Sequence, residues 1–126
     1  MADDVNPQLG AIVWRDLTVD DADTVRDFYE QVVGWETKPL AMDGYDDYVM
    51  IARGTGESVA GVCHARGSNA AVPPQWLVYV TVADVVASAA RCTELGAEVL
   101  DGPRPIGGKP FFVVRDPAGA VLALIE

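Results

Sequence analysis

Asp16 is the residue of this chain whose type and surroundings most directly suggest chemistry. It lies between Trp14 and Thr18 in residues 11–19, which alternate from Val13 onward like a half-buried strand. Side chains two apart on a strand share a face, so this carboxylate would have partly apolar surroundings, which raise a pKa unless a cation or hydrogen-bond donors compensate. Asp16 is therefore a candidate to bind an amine or to act as a general base. A hydrogen-bonded carboxylate near the strand end is the alternative.

His64, the single histidine, is the second catalytic candidate. It lies near the end of a predicted strand, residues 58–65, where it could serve as a proton shuttle or simply be a surface residue. Cys63 should point to the opposite face of that strand, which disfavours a Cys–His nucleophile pair. Cys63 and Cys92 form no CxxC spacing, so we expect buried free thiols rather than a disulfide or redox pair.

Charge narrows the classes of partner. The net charge of -10 disfavours nucleic acid and anionic membranes, because both attract clusters of Lys and Arg. Residues 1–63 carry 4 basic and 13 acidic residues, whereas residues 64–126 carry 5 and 6. This acidic half could steer a cationic ligand toward the protein, or it could be a solvated surface that maintains solubility.

The sequence gives weaker signals about where in the cell the protein is located and which class of reaction it could catalyse. No apolar run approaches the roughly 20 residues needed to span a bilayer, and Met1–Asp4 is acidic where a secretory signal would be basic. We therefore expect a cytoplasmic protein. The sequence contains no nucleophile elbow, Walker loop, dinucleotide fingerprint or zinc spacing.

The first half predicts a strand, a helix and three further strands. Asp20, Asp21 and Asp23 supply a cap and negative charge where the helix begins, and Gly34 ends it. Its apolar positions follow helical spacing: Val25, Phe28, Tyr29, Val32 and Val33. The strands are predicted near residues 36–42, 47–53 and 58–65, with Gly54-Thr55-Gly56 turning the last hairpin.

The second half predicts the same order after a Gly- and Pro-rich linker, residues 66–74. A strand at Gln75–Val82 precedes a helix that Asp84 caps and Gly96 ends, and strands follow near 97–101, 110–115 and 120–126. Asp116-Pro117-Ala118-Gly119 matches a type I turn. Asp101–Pro110, with three prolines and three glycines, predicts an irregular excursion that could act as a lid.

The two halves repeat at an offset of 63 residues. Thr18-Val19-x-Asp21 recurs as Thr81-Val82-x-Asp84, Gly44 as Gly107, Gly56 as Gly119, Ala60 as Ala123, and Tyr48-Val49 as Phe111-Phe112. Repetition of turn glycines and capping residues indicates a duplicated supersecondary unit. We therefore predict one α+β domain, residues 1–126, of two tandem βαβββ modules. Module one covers about residues 10–65, and module two covers residues 75–126.

These features resemble the vicinal oxygen chelate superfamily, which includes glyoxalase I, extradiol dioxygenases and bleomycin resistance proteins. The resemblance rests on the paired βαβββ units, on Phe28-Tyr29-x-x-Val32-x-Gly34-Trp35, and on the ending Asp116-Pro117-Ala118-Gly119-Ala120-Val121-Leu122-Ala123-Leu124. It implies a curved mixed sheet around a cleft and, since family members often build the cleft across paired units, a homodimer. It is much weaker evidence for activity, because one fold hosts many functions.

The resemblance also implies where a metal would be bound, because metal-dependent members take one ligand from the first and last strand of each unit. Those positions fall on residues without suitable donors: Trp14, Leu77, Ala60 and Ala123. A one-residue slip offers Gln75 or Trp76, Gly61, and Leu122 or Leu124, at most one weak ligand. We therefore expect no metal and no cofactor.

Strand alternation from those positions predicts which side chains line the cleft. The first strands contribute Trp14, Asp16 and Thr18 with Leu77, Tyr79 and Thr81, and the last strands contribute Ala60, Val62 and His64 with Ala123. Aromatic strand residues add stacking surfaces for planar or cationic ligands, unless they simply pack the core. The predicted ligand-binding residues are Trp14, Asp16, Thr18, Tyr48, Ala60, His64, Trp76, Tyr79, Phe112 and Ala123.

Three functions remain open from the sequence. The leading hypothesis is a metal-free protein that binds a small molecule, sequestering or sensing an aromatic or cationic compound. The second is a glyoxalase-like lyase, isomerase or dioxygenase that uses a displaced metal site, or acid/base chemistry through Asp16 with His64 or Tyr79. The third is an interaction module whose cleft is filled by its own side chains.

Overall fold

The computed structural model describes residues 6–126, apart from the side chain of Ser68. The acidic N-terminal residues Met1–Asp4 lie outside this range. The described residues form eight strands, two α-helices and one 3₁₀ turn. In chain order these are β1 (Ile12–Val19), α1 (Ala22–Val32), β2 (Glu36–Ala41), β3 (Asp46–Ile51), β4 (Ser58–His64), the 3₁₀ turn Gly67–Asn69, β5 (Trp76–Thr81), α2 (Val85–Glu94), β6 (Glu98–Ile106), β7 (Lys109–Arg115) and β8 (Val121–Ile125).

The chain divides into two compact units, one of residues 15–76 and one of residues 77–126 with the segment up to Trp14. In the first, β2 pairs with β3 and β3 with β4 in antiparallel fashion, whereas β4 pairs with β1 in parallel. In the second, β6, β7 and β8 are antiparallel and β8 pairs with β5 in parallel. The predicted fold class is confirmed: α+β, two βαβββ modules and mixed pairing. A cleft shared by the modules stays a prediction.

Both helices begin where the sequence predicts. The Asp21 side chain accepts hydrogen bonds from the Thr24 backbone N–H at 3.1 Å and the Thr24 hydroxyl at 2.7 Å. These bonds lower the pKa of the Asp21 carboxyl. Asp84 caps α2 in the same way, accepting from the Ala87 N–H at 3.1 Å. Side-chain caps satisfy backbone donors that a helix start leaves unpaired, so the two aspartates set both helix boundaries.

Each helix covers one face of the strands in its own unit. Beside α1 the buried cluster is Ala22, Tyr48, Met50, Ala60 and Val62. Beside α2 it is Val85, Ala89, Phe112, Val114 and Leu124. The predicted apolar stripe of α1 is only partly covered, because Val25 and Tyr29 pack on the cluster whereas Phe28 and Val32 are 55% and 65% exposed.

The predicted irregular excursion at Asp101–Pro110 is wrong. Most of it belongs to β6 and β7, which pair from Glu98↔Arg115 to Ile106↔Lys109 and turn through Gly107 and Gly108. Register shifts along β6 accommodate the prolines. Among the described residues of its unit β6 pairs with β7 alone, and a proline that need not donate a ladder hydrogen bond is tolerated on such a strand. The segment is a bulged hairpin rather than a loose lid.

Two further predictions concern the cysteines and the length of the helices. Both Cys63 and Cys92 are free and partly buried, as expected. Neither helix of residues 6–126 combines the length and the apolarity needed to cross a bilayer.

Candidate functional site

Asp16 lies against Gly61 on the strand pair β1–β4. The two residues are partners in the parallel register. A Cβ atom at Gly61 would overlap the Asp16 carboxylate and would lie 3.7 Å from the Cys63 sulfur. Asp16, Gly61 and Cys63 therefore share one side of these strands, which we call the Asp16 face. The absence of a side chain at Gly61 is what gives the carboxylate its space.

Cys63 on this face is a protonated thiol. Burial raises its pKa, and the neighbouring carboxylates Asp16 and Asp47 and a hydrogen bond with Asp47 raise it further. A thiol that resists deprotonation is a poor nucleophile, so Cys63 acts as a small apolar group with a weak donor. Asp47 is 3% exposed and also accepts from the His64 backbone N–H at 2.8 Å. The charged groups next to Cys63 are therefore the carboxylates of Asp16 and Asp47 rather than the thiol.

The expected placement of Ala60 beside Asp16 is wrong. Ala60 and Val62 are fully buried in the cluster that contains Ala22 of α1, on the side opposite Asp16. The cause is a bulge: Met50 pairs with Ala60 but Ile51 pairs with Ser58, which leaves Val59 without a partner. One extra residue shifts every later side chain of a strand to the other face. Gly61 therefore takes the last-strand ligand position that the family resemblance implied for Ala60.

His64 also lies on the helix side of β4, away from Asp16. It is 7% exposed; its Nε2 is 3.8 Å from Asp23 Oδ1 and its Nδ1 is 3.5 Å from Asp47 Oδ1. Within residues 6–126, Nδ1 is buried without a hydrogen-bond partner, and the Tyr45 ring centroid lies 5.4 Å from that of His64. The prediction that Cys63 and His64 face opposite ways is confirmed. Asp16 and His64 are not brought together as one acid/base pair.

Tyr48 belongs to the same helix-side group as His64. Its hydroxyl donates to Asp23 at 2.5 Å, and the Arg26 guanidinium lies 4.4 Å from its ring centroid. The hydrogen bond to Asp23, followed by burial, raises the pKa of Tyr48 to about 12. The group therefore ties β3 and β4 to α1.

In the second unit the predicted residues again divide between faces. Tyr79 pairs with Ala123 in the parallel register, and its ring centroid is 6.2 Å from that of Phe111. Phe112 instead packs against α2 with Val85 and Leu124. Phe111, rather than the predicted Phe112, is thus the aromatic neighbour of Tyr79.

Three predicted residues remain to be placed. Trp14 is partly buried on β1, and Thr18, two residues beyond Asp16, is 5% exposed. Trp76 packs beside α1, where its indole N–H donates to the Tyr29 hydroxyl at 3.1 Å. Asp16 and Thr18 remain the polar candidates on β1.

The donors that a family metal would need are missing. With the register corrected, the implied positions hold indole, isobutyl, methyl and hydrogen side groups: Trp14, Leu77, Ala123 and Gly61. Within residues 6–126 no three His, Cys, Asp or Glu residues come together in a metal-binding group. Because divalent cations require several converging oxygen, nitrogen or sulfur donors, these residues do not fit a metal ion.

Sequence reasoning missed Arg15 and Trp35. With Val59 and Trp76 they line a cavity of about 410 Å³. The sequence did contain a signal for Arg15, which is a charged residue next to Asp16 on a predicted strand. Because strand side chains alternate, Arg15 should point to the face opposite Asp16.

Comparison with known proteins agrees with this architecture. Residues 9–124 match the model of the Glyoxalase/Bleomycin resistance protein/Dioxygenase superfamily. The chain is 31% identical over 121 residues to the protein named "Putative glyoxylase CFP32" of Mycobacterium bovis and of Mycobacterium tuberculosis. The match covers 94% of this chain and 45% of each relative, so the chain spans about half their length.

Solved structures show the same fold. Methylmalonyl-CoA epimerase of Streptomyces coelicolor superimposes with a TM-score of 0.57 at 21% identity, over 93% of this chain and 96% of that one. The Mycobacterium tuberculosis methylmalonyl-CoA epimerase gives 0.56 at 16% identity, over 97% and 91%. At such identities the likeness concerns fold alone. With the family match over residues 9–124, the chain belongs to the glyoxalase/bleomycin resistance protein/dioxygenase superfamily.

Proposed function

We propose that this protein binds a small molecule without a metal ion and uses the Asp16 face as its binding surface. One observation carries the proposal: the Asp16 carboxylate fills the space above Gly61, where a metal-dependent relative would project a ligand side chain. An anionic group thus stands at a position that a metal ligand would otherwise take. It can bind a positively charged group directly.

The proposed ligand is a compound with a cationic or aromatic group, sequestered or sensed rather than transformed. A carboxylate forms its strongest hydrogen bonds with charged donors such as ammonium groups. Residues 1–63 carry 13 acidic and only 4 basic residues, so their field also favours the approach of a cation. The protonated Cys63 thiol is neutral, so the charge next to it comes from the carboxylates of Asp16 and Asp47.

Calorimetric titration with tryptamine and its uncharged analogue tryptophol tests this proposal. We expect tryptamine to bind more tightly than tryptophol, and to bind equally well after the protein is dialysed against EDTA. Tryptamine should bind roughly tenfold more weakly to Asp16→Asn, since a charge-assisted hydrogen bond contributes about 1.5–3 kcal/mol. Asp43→Asn, which removes an exposed carboxylate, is the matched control. Equal affinity for the two compounds, or an unchanged affinity in Asp16→Asn, contradicts the proposal.

The second candidate is an enzyme in which Asp16 acts as a general base. Its support is a partly buried carboxylate next to a protonated thiol, together with the glyoxylase name of the 31% identical relatives. His64 cannot share the proton transfer directly, because it lies on the helix side of β4. Turnover of a 2-oxoaldehyde by wild type, lost in Asp16→Asn and kept in Asp43→Asn, would favour this candidate over simple binding.

A further inference from the structure

A cavity of about 410 Å³ lies in the unit of residues 15–76, on the opposite side of β1 from Asp16. Arg15, Trp35, Val59 and Trp76 line it, and we call it the Arg15 cavity. Three of these residues, Trp35, Val59 and Trp76, pack against the buried cluster beside α1. The cavity is therefore separate from the Asp16 face. Its volume falls within the range of roughly 300–1,000 Å³ typical of small-molecule sites.

Aromatic contacts hold the cavity walls in place. The Trp35 and Trp76 ring centroids are 6.0 Å apart at an interplanar angle of 79°. The Tyr29 ring centroid lies 5.5 Å from that of Trp35 and 5.4 Å from that of Trp76. The Tyr29 hydroxyl accepts a hydrogen bond from the Trp76 indole N–H at 3.1 Å. Indoles fixed in this way offer rigid apolar surfaces for a planar ring at little entropic cost.

Arg15 supplies the charge. Its Nη1 donates to the Val59 carbonyl at 2.9 Å, which anchors the guanidinium at the bulge of β4. Among residues 6–126 it forms no ion pair, although this unit is rich in carboxylates and its Arg26 is paired with Asp27 at 2.8 Å. A guanidinium has five N–H donors in a planar fork that matches a carboxylate. Most of those donors remain available to a ligand.

We propose that the Arg15 cavity binds a small planar aromatic carboxylate. The ring contacts the two indoles, and the carboxylate accepts hydrogen bonds from Arg15. This site goes beyond the proposed function, since it occupies the other side of β1 and selects the opposite charge. Neither site depends on the other.

Fluorine NMR of protein labelled with 5-fluorotryptophan tests the site directly, because the chain has 3 tryptophans and two of them line the cavity. The probe is 2-naphthoate, and its uncharged control is 2-naphthamide. We expect 2-naphthoate to shift the Trp35 and Trp76 resonances but not that of Trp14, with the amide binding at least tenfold more weakly. Trp14→Phe assigns the third resonance. Shifts confined to Trp14, equal affinity for acid and amide, or no binding at millimolar probe overturns the proposal.

Arg15→Gln tests the charge, with Arg53→Gln as the matched control at an exposed arginine of the same unit. We expect roughly a tenfold loss of 2-naphthoate affinity in Arg15→Gln and none in Arg53→Gln. Circular dichroism checks that both variants fold. If Arg15→Gln unfolds through loss of its bond to Val59, the wild-type comparison of acid with amide still decides. The tryptamine titration uses a different probe, so failure of one proposal is distinguishable from failure of the other.

Discussion

Gly61 shows how one missing side chain can redirect a site. In this chain a glycine on β4 allows the carboxylate of its β1 neighbour, Asp16, to occupy the space above it. A glycine inside a strand costs backbone entropy and packing, so its presence indicates a close approach by another group. The approaching group here is charged, which is why we propose ligand binding rather than packing for this face.

Gly61→Ala should destabilise the protein by about 1–3 kcal/mol, because the new Cβ overlaps the Asp16 carboxylate and one of them must move. Urea unfolding of the variant measures the loss. Gly54→Ala is the matched control, since a Cβ there has no neighbour within 4 Å and the backbone angle is not positive. In the Asp16→Ala background the penalty of Gly61→Ala should shrink. A penalty equal to that of Gly54→Ala would show that the close approach is absent.

The ionisation of Tyr48 should lower the stability of the protein at alkaline pH. Its pKa is raised to about 12 by the hydrogen bond to Asp23 and by burial. A raised pKa means that the stabilisation is complete below the unfolded-state value of about 10 and is lost as pH rises toward 12. Tyr48→Phe should therefore cost about 1 kcal/mol near neutral pH, a value discounted because Asp23 is 60% exposed.

The difference between wild type and Tyr48→Phe should narrow from about pH 9 to about pH 11.5, because only the wild type loses this interaction. Urea unfolding at several pH values gives the comparison. Tyr45→Phe is the matched hydroxyl deletion, at a residue whose ring lies beside His64. A difference that stays constant or widens with pH would mean that the Tyr48 hydroxyl does not depend on Asp23.

At the scale of elements, the helices and the order of the strands along the chain were predictable from the sequence. The face of the sheet to which each side chain of β4 points was not. Asp21 and Asp84 identify the helix starts because capping is local and depends on residue type. The bulge at Val59 has no local signature in the sequence, yet it reverses the facing of Ala60 and His64. Tyr48 packs on the helix side as Phe112 does, although the repeat aligns it with Phe111.

The prolines of β6 show a second limit of sequence reasoning. Their density in Asp101–Pro110 favoured an irregular loop, because a proline interrupts the hydrogen bonding of a central strand. Since β6 pairs only with β7 in the part of its unit that the structure describes, proline is tolerated there. Strand position within a sheet depends on long-range pairing, which a single sequence does not reveal.

The cap of α2 gives a prediction at this scale. Asp84→Ala should lower the free energy of unfolding by about 1 kcal/mol, because the Ala87 N–H loses its acceptor at the helix start. Asp84→Asn keeps an acceptor and should cost less than half as much. Thermal or urea unfolding of the three proteins measures the order. Equal losses in Ala and Asn variants would mean that charge at the helix terminus, rather than the hydrogen bond, is responsible.

At the scale of the whole molecule, we propose that two copies pair. The helix residues Phe28, Val32 and Val33 leave 55%, 65% and 50% of their surfaces exposed. A second copy of the chain would cover this apolar surface. Analytical ultracentrifugation at micromolar concentration should give twice 13.4 kDa, and Val32→Glu should shift it to the monomer. A single 13.4 kDa species in the wild type contradicts this proposal.

The central claim is that the family fold operates here without a metal, because its coordinating positions have lost their donors. Native mass spectrometry tests this claim most directly. The freshly purified protein is measured first, and it is measured again after dialysis with Zn²⁺, Ni²⁺ or Mn²⁺ followed by dialysis without them. We predict a mass that carries no stoichiometric metal after dialysis but gains one tryptamine per chain when it is added. One metal ion per chain that survives dialysis, and that is lost in Asp16→Asn, would contradict it.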